Sequence, residues 1–168
     1  MKWLYTILFL LILNTSFSQT VTVDSSQVPY LQDKKLPFFK MILPDSSFFY
    51  KDDLKKNRST VIVYFSPECE HCKKFTHLLK QRINDFKKTN FVMISPLPLS
   101  KIKEFYEEEH IAEYSNIKMG KDALYFFGNY FHANFIPFIA AYDKKEKLIR
   151  GWEGEVTIDN LVKAVDEN

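Results

Sequence analysis

The chain has 168 residues and a formal net charge of +2, and this length is enough for one domain with a substantial core. Acidic and basic residues are interspersed along it, so its charge gives no indication of nucleic acid as a partner. Sixteen phenylalanines and nine tyrosines against only four glycines predict a dense aromatic core and exclude a disordered linker protein.

The N-terminal residues are typical of a secretory signal peptide. Lys2 precedes a mainly apolar run over residues 3–13, and Ser18 lies at a small-residue cleavage position. The run is too short to span a bilayer, which takes about 20 apolar residues. We therefore expect cleavage near Ser18, which removes residues 1–18 and leaves a mature protein exported to the periplasm. An uncleaved N-terminal anchor or a buried helix is the alternative.

The first half of the mature chain shows strand signals and then a helical pattern. Residues 19–36 are polar and mixed, which predicts an extended lead-in to a domain over residues 37–168. Strands are predicted at residues 36–43, 48–50 and 61–66, followed by a helix at residues 69–87. The run at 61–66 is almost entirely β-branched and aromatic, as in a central strand buried on both faces. The helix carries its apolar residues in one stripe.

The second half alternates strands and helices. Strands are predicted at residues 90–95, 116–119, 138–142 and 147–151, the last two forming a hairpin. We expect Ser100, Asp122 and Thr157 to cap three helices between and after these strands. The order of elements predicts an α/β domain with a mixed central sheet.

The only two cysteines form a Cys-x-x-Cys pair within "VIVYFSPECEHCKKF", directly after the predicted central strand. A bridge across so short a loop hardly restricts the unfolded chain, so the pair predicts chemistry rather than a structural staple. Unpaired N–H groups and the positive dipole end at a helix start favour a thiolate at Cys69. Cys72 joins the apolar stripe one turn later, which predicts a sheltered thiol that resolves a mixed disulfide.

Three neighbouring residues are predicted to tune this redox pair. A partly protonated His71 would stabilise the Cys69 thiolate, whereas Glu68 and Glu70 would act against it by like-charge repulsion. The direction of exchange stays open at this point between reduction, oxidation and isomerisation.

A metal or haem site is the alternative use of two such cysteines. Zinc would need two further ligands, and the candidate histidines are His77, His110 and His132. Covalent haem attachment would need a histidine directly after Cys72, where this chain has Lys73. We therefore predict no metal and no cofactor.

The cysteine segment, together with "FIPFIAAYDKKEKLIRGWEG" at residues 135–154, resembles thioredoxin-fold thiol–disulfide oxidoreductases, most closely the exported TlpA-like branch. The resemblance extends from about Phe38 to the C-terminus. It implies a thioredoxin-like fold, a mixed central sheet flanked by helices, with a helical insert before the proline strand. It also implies a cis Pro137 opposite the cysteines, with the Ile136 peptide group binding an incoming substrate chain. Protein disulfides would be the substrates, and a membrane-bound electron donor would be a further partner.

The sequence departs from thioredoxin at several positions. Glu68 replaces a tryptophan, Glu70 and His71 replace a Gly-Pro pair, and Val63 replaces a buried acid that accepts the proton of the second cysteine. The usual route for deprotonating Cys72 is therefore absent, and Glu68 or a water molecule is the candidate substitute. His71 directly before the second cysteine is similar to the oxidising DsbA-type dipeptide.

The aromatic insert "YFFGNYFHANF" at residues 125–135 is interpreted mainly as core. Its last residues, 133–135, lead into Pro137 and are expected to border the site.

Two other functions would use the same cysteines. A peroxiredoxin-like peroxide reductase is the first, because Ser66 lies three residues before Cys69, where such proteins place a threonine. A non-catalytic chaperone that holds copper or zinc through Cys69 and Cys72 is the second.

Overall fold

The computed structural model describes residues 28–167. The predicted signal peptide and residues 19–27 of the lead-in lie outside the described residues. In chain order the elements are α1 (Pro29–Asp33), β1 (Lys40–Ile42), β2 (Phe48–Tyr50), β3 (Ser59–Tyr64), α2 (Glu70–Gln81), β4 (Thr89–Ser95), α3 (Leu99–Glu108), β5 (Ile117–Lys121), α4 (Phe126–Phe131), β6 (Phe138–Tyr142), β7 (Leu148–Glu153) and α5 (Ile158–Asp166). Three short 3-10 helices lie between these elements, at Lys51–Asp53, Ile83–Phe86 and Ile111–Glu113.

One mixed sheet of seven strands organises the domain, in the order β2-β1-β5-β4-β3-β6-β7. Strands β3, β4 and β5 are mutually parallel, whereas β6 runs antiparallel to β3. In the β3–β6 pair, Tyr64 at the end of β3 lies opposite Phe138 at the start of β6. The segment after β3 and the segment before β6 therefore meet at the same end of these two strands. The predicted mixed central sheet is confirmed.

The sheet separates two aromatic cores, one on each of its faces. Side chains alternate between the faces of a strand, so Val61 and Val63 of β3 pack on one side and Ile62 on the other. All three are fully buried, as the sequence predicted. The first core contains residues of α2, α3 and α5, and the second contains residues of α4 and the chain before β2.

The lead-in differs from its predicted extended form within the described residues. Residues 29–33 form α1, because Pro29 is well suited to a first helical position and Tyr30 packs edge-on against Phe131 and Phe138. The amide of Leu36 then donates to the carbonyl of Glu146 at 2.8 Å, and its side chain is buried. This part of the lead-in is thus packed onto the domain.

Two of the three predicted helix caps are found. The hydroxyl of Thr157 accepts from the amide of Asn160 at 3.3 Å. The Asp122 carboxylate accepts from the amides of Phe126 and Phe127 at 3.0 and 2.8 Å, at the start of α4.

The Ser100 cap is wrong. Helix α3 begins at Leu99, directly after Pro98, and its start has no side-chain cap. Pro98 cannot continue a preceding hydrogen-bonded turn, and its extended ψ of 141° sets the helix start one residue before Ser100.

The helices are short, and α2 spans only 12 residues. No helix within residues 28–167 has both the length and the apolar character needed to cross a membrane.

Candidate active site

Cys69 lies in the turn between the end of β3 and the start of α2. It is the residue directly before the first helical turn, in an extended conformation with φ −92° and ψ 120°. Its amide donates to the Ser66 carbonyl at 3.1 Å, and the Glu68 amide donates to the Ser66 hydroxyl at 3.2 Å. These bonds hold the turn that places the partly exposed Cys69 thiol at the positive end of the helix dipole.

Cys72 lies one turn further along α2, with only 1 % of its surface exposed. It belongs to the core that also contains Val63, Phe65 and Phe75. Burial is the largest cause that raises the pKa of the Cys72 thiol to about 12; a hydrogen bond with the Ser66 backbone opposes this rise and the nearby Cys69 adds to it. Both thiols are free in this structure. Cys72 is therefore protonated and sheltered at neutral pH.

The Ile136–Pro137 segment faces the exposed thiol. The peptide bond between these residues is cis, and the Cys69 thiol lies 3.8 Å from the Ile136 carbonyl oxygen, toward which it donates. The Gly154 amide donates to the Pro137 carbonyl at 3.0 Å, which ties this segment to the end of β7. The structure thus brings together Cys69, Cys72, Ile136 and Pro137, the residues that the sequence analysis proposed for catalysis and substrate binding.

The two glutamates beside the cysteines each have a lysine partner. Glu68 lies 3.7 Å from Lys101, and Glu70 lies 2.7 Å from Lys73. All four side chains are largely exposed, so these ion pairs contribute little to stability. They do reduce the local negative charge, and the repulsion on a Cys69 thiolate is smaller than the two carboxylates alone would give.

Glu155 is a residue of this site that the sequence analysis missed. Its Oε1 atom lies 3.0 Å from His71 Nδ1 and 3.1 Å from Lys74 Nζ. The hydrogen bonds from His71 and Lys74 lower the pKa of the Glu155 carboxyl. His71 therefore faces a carboxylate as well as the helix start that it was expected to serve.

The predicted hairpin carried a signal for this missed residue. Because β7 pairs antiparallel with β6, Glu153 lies opposite Phe138, and the chain after β7 must emerge beside Pro137. Sequence alone does not select which residue of that loop contacts His71, since the two lie 84 positions apart.

A groove of about 510 Å³ adjoins these residues. Its active-site end contains His71, Pro137 and Glu155. Its apolar wall includes Phe75, Leu78, Val156 and Ile158. A larger basic cavity of about 650 Å³ includes Thr60, at the start of β3, and therefore lies at the opposite end of that strand from Cys69.

The three other histidines do not complete a metal site with the cysteines. His77 bonds to Gln81 at 2.9 Å, and His110 and His132 occupy left-handed positions next to α3 and α4. Among residues 28–167, no three His, Cys, Asp or Glu side chains form a group that could hold a metal ion.

Comparisons with known proteins identify the fold. No protein-family model matches the chain, and no curated protein sequence matches it. Solved structures do match, including a secreted Mycobacterium tuberculosis disulfide oxidoreductase homologous to E. coli DsbE, with a TM-score of 0.64 and 16% identity over 77% of this chain and 96% of that one. MTB dsbF matches with a TM-score of 0.64 and 18% identity over 87% and 98% of the two chains.

A peroxiredoxin-like protein from Aquifex aeolicus matches with a TM-score of 0.66 and 17% identity over 80% of this chain and 85% of that one. Likeness at such identities shows the fold. The chain has a thioredoxin-like α/β fold, and the predicted resemblance to thioredoxin-fold proteins is confirmed.

Proposed function

We propose that the protein is an exported thiol–disulfide oxidoreductase that reduces or exchanges disulfides in secreted or periplasmic proteins. The observation that carries this proposal is the arrangement around Cys69. Its thiol is partly exposed at a helix start, 3.8 Å from the Ile136 carbonyl, and Cys72 is buried one turn behind it. The Cys69 sulfur can thus attack a substrate disulfide or be attacked by a substrate thiolate. The Cys72 sulfur can be reached only from within the protein.

In the reducing direction, the Cys69 thiolate attacks one sulfur of a substrate disulfide. That disulfide bond breaks, and the attacked sulfur forms a mixed disulfide with Cys69. The other substrate sulfur leaves as a thiolate and takes up a proton. Cys72 then loses its proton and attacks Cys69, which releases the second substrate thiolate. Two electrons have passed to the substrate, and the Cys69–Cys72 disulfide must be reduced by a donor, for which we propose a membrane-bound protein.

Deprotonation of Cys72 is the demanding step. Val63, fully buried in the same core, offers no carboxylate, and the exposed Glu68 is paired with Lys101. However, the nearby Cys69 is one cause of the raised Cys72 pKa, and a Cys69 sulfur bound in a mixed disulfide carries no charge. Cys72 therefore ionises more readily in the intermediate, with water or the departing substrate thiolate as proton acceptor.

The Ile136–Pro137 segment is the proposed substrate contact. An extended polypeptide lying along it would place its cysteine against Cys69 and pair its backbone with the peptide group of Ile136, as in strand addition. Glu68, Glu70 and His71 are the proposed tuning residues. Lysine partners offset the charges of the two glutamates, and Glu155 offsets that of a protonated His71. The groove beside Pro137 can hold side chains of the same bound segment.

The proposal is tested by trapping substrates. In Cys72→Ala, the resolving thiol is missing, so we expect Cys69 to hold a disulfide-bonded test protein, or a native substrate, as a stable mixed disulfide visible on a non-reducing gel. Cys69→Ala is the matched control, in which no adduct should form. A folded Cys72→Ala protein that accumulates no adduct would contradict the proposal.

Two further measurements separate the alternatives. The reduction potential of the pair gives the direction, because about −270 mV is typical of a reductant and about −120 mV of an oxidant. Rapid stoichiometric thiol loss with peroxide, without reaction with disulfides, would instead favour the peroxiredoxin-like alternative, for which the Ser66 hydroxyl beside Cys69 is the supporting feature.

A further inference from the structure

Phe135 presents an exposed aromatic ring directly before the Ile136–Pro137 segment. Its side chain is 68 % exposed, whereas the neighbouring aromatic residues Phe131 and Phe138 are almost fully buried. Full burial of a phenylalanine side chain is favourable because it removes a large apolar area from water. A ring left open to solvent at this position is therefore available for contact with another molecule.

The position of Phe135 is close to the reactive thiol. The Ile136 carbonyl oxygen lies 3.8 Å from Cys69 Sγ, and consecutive Cα atoms are about 3.8 Å apart. The Cα atom of Phe135 is therefore within about 10 Å of that sulfur. An extended chain rises about 3.3 Å per residue, so this distance corresponds to about three residues on one side of a bound substrate cysteine.

The backbone on both sides of Phe135 is fixed. The Asn134 amide donates to the Glu153 carboxylate at 3.2 Å, and the Gly154 amide donates to the Pro137 carbonyl at 3.0 Å. Both bonds join this segment to the end of β7. The ring is thus presented from an anchored backbone, and a contact with it needs little additional ordering of the protein.

We propose that Phe135 is a specificity-determining residue that packs against an apolar or aromatic side chain next to the reactive cysteine of the substrate. This inference rests on the proposed function, and it narrows the substrate class to polypeptide disulfides whose cysteine has an apolar neighbour. Packing of a substrate ring or aliphatic chain on Phe135 lowers the energy of the encounter in which Cys69 attacks. Small disulfides without such a side chain gain nothing from it.

The test compares single-turnover rate constants of the reduced protein with three disulfides. One is a peptide disulfide with leucine or phenylalanine beside the cysteine, one is the same peptide with serine there, and one is hydroxyethyl disulfide. We expect Phe135→Ala to lower the rate constant for the apolar peptide about five- to tenfold and to leave the other two unchanged. Phe135→Leu should recover part of the loss, because it restores apolar surface.

Phe38→Ala is the matched control, since Phe38 is 65 % exposed but lies away from the cysteines. Its neighbour Phe39 accepts a hydrogen bond from the amide of Lys51, which lines the basic cavity. It should change none of the three rate constants. An unchanged rate for the apolar peptide in Phe135→Ala, or an equal loss for all three disulfides, would overturn the inference. Failure of the wild-type protein to react with any disulfide would instead overturn the proposed function.

Discussion

The Nδ1 atom of His71 lies 3.0 Å from the Oε1 atom of Glu155, and the same oxygen lies 3.1 Å from Lys74 Nζ. His71, the second of the two residues between the cysteines, is therefore tied to the loop that follows β7. This contact brings a negative charge next to the residue that is proposed to stabilise the Cys69 thiolate.

Glu155→Gln should make the reduction potential of the cysteine pair less negative. Loss of the carboxylate removes a negative charge from the vicinity of the thiolate, which favours the reduced form. Because the groups are exposed, the expected shift is small, about 10 mV. Equilibration with glutathione redox buffers measures it. Since its hydrogen bonds from His71 and Lys74 lower the pKa of the Glu155 carboxyl, the shift should persist from pH 6 to pH 8.

His71→Ala is the matched variant and should shift the potential in the opposite direction. In the double variant, the two effects should not add, because each residue acts partly through the other. A Glu155→Gln potential equal to or more negative than that of the wild type would contradict this prediction.

Tyr142→Phe should leave the protein as stable as the wild type or make it more stable. Tyr142 is fully buried, and its hydroxyl has no hydrogen-bond partner of ordinary geometry among residues 28–167. Burial raises the pKa of Tyr142, and the nearby Tyr130 hydroxyl contributes to this rise, but the geometry between the two hydroxyls falls short of a hydrogen bond. A buried hydroxyl without a partner costs about 1–3 kcal/mol, and the phenylalanine ring keeps the apolar contacts. The free energy of unfolding in urea measures the effect.

Tyr130→Phe provides the contrast within the same aromatic cluster. The Tyr130 hydroxyl donates to the carbonyl of Lys35 at 3.1 Å, so its loss should destabilise the protein by about 0.5–1.5 kcal/mol. Destabilisation by Tyr142→Phe as large as that by Tyr130→Phe would mean that the Tyr142 hydroxyl forms a hydrogen bond after all.

Much of this fold could be predicted because its signals are local. The run at residues 61–66 has no polar face, so it had to be a central strand, and the stripe that contains Cys72 and Phe75 had to face the core. The lead-in could not be predicted in this way. Its helix at Pro29–Asp33 depends on contacts of Tyr30 with Phe131 and Phe138, which are distant in sequence.

The same distinction between local signals and long-range contacts applies to the candidate site. The positions of Cys69 and Cys72 followed from a strand, a turn and a helix that are contiguous in the chain. Glu155 and the lysine partner of Glu68 could not be found, because side-chain ion pairs between exposed residues leave no pattern in a single sequence. Ser100 was wrongly predicted as a cap because Pro98, two residues earlier, already determines where α3 begins.

The reduced protein should lose stability relative to the oxidised protein above pH 9. Burial raises the pKa of Cys72 from 9.0 to about 12, so between these values the folded protein keeps a proton that the unfolded chain has lost. Stability therefore falls as pH rises, by at most about 1.4 kcal/mol per pH unit. The disulfide form has no such proton.

Urea unfolding of both redox forms at pH 8 to 10.5 measures this difference. Burial also raises the pKa values of Tyr30, Tyr64, Tyr130 and Tyr142. These residues act in both redox forms, so subtracting one form from the other isolates the contribution of the two cysteine thiols. A difference in stability that does not change with pH would contradict a buried, protonated Cys72.

Resolution of the mixed disulfide should accelerate with pH, because Cys72 attacks only as a thiolate. Burial, the largest cause of its raised pKa, persists in the intermediate, so the thiolate fraction should rise about tenfold per pH unit between pH 6 and pH 9. Wild-type protein mixed with a chromogenic disulfide in stopped flow separates the release of the first thiolate from the release of the second. The second step should show this steep dependence in the wild type, and Cys72→Ala should lack that step altogether. A second step that is independent of pH would mean that a neighbouring group takes the Cys72 proton, in the role that the apolar Val63 cannot fill.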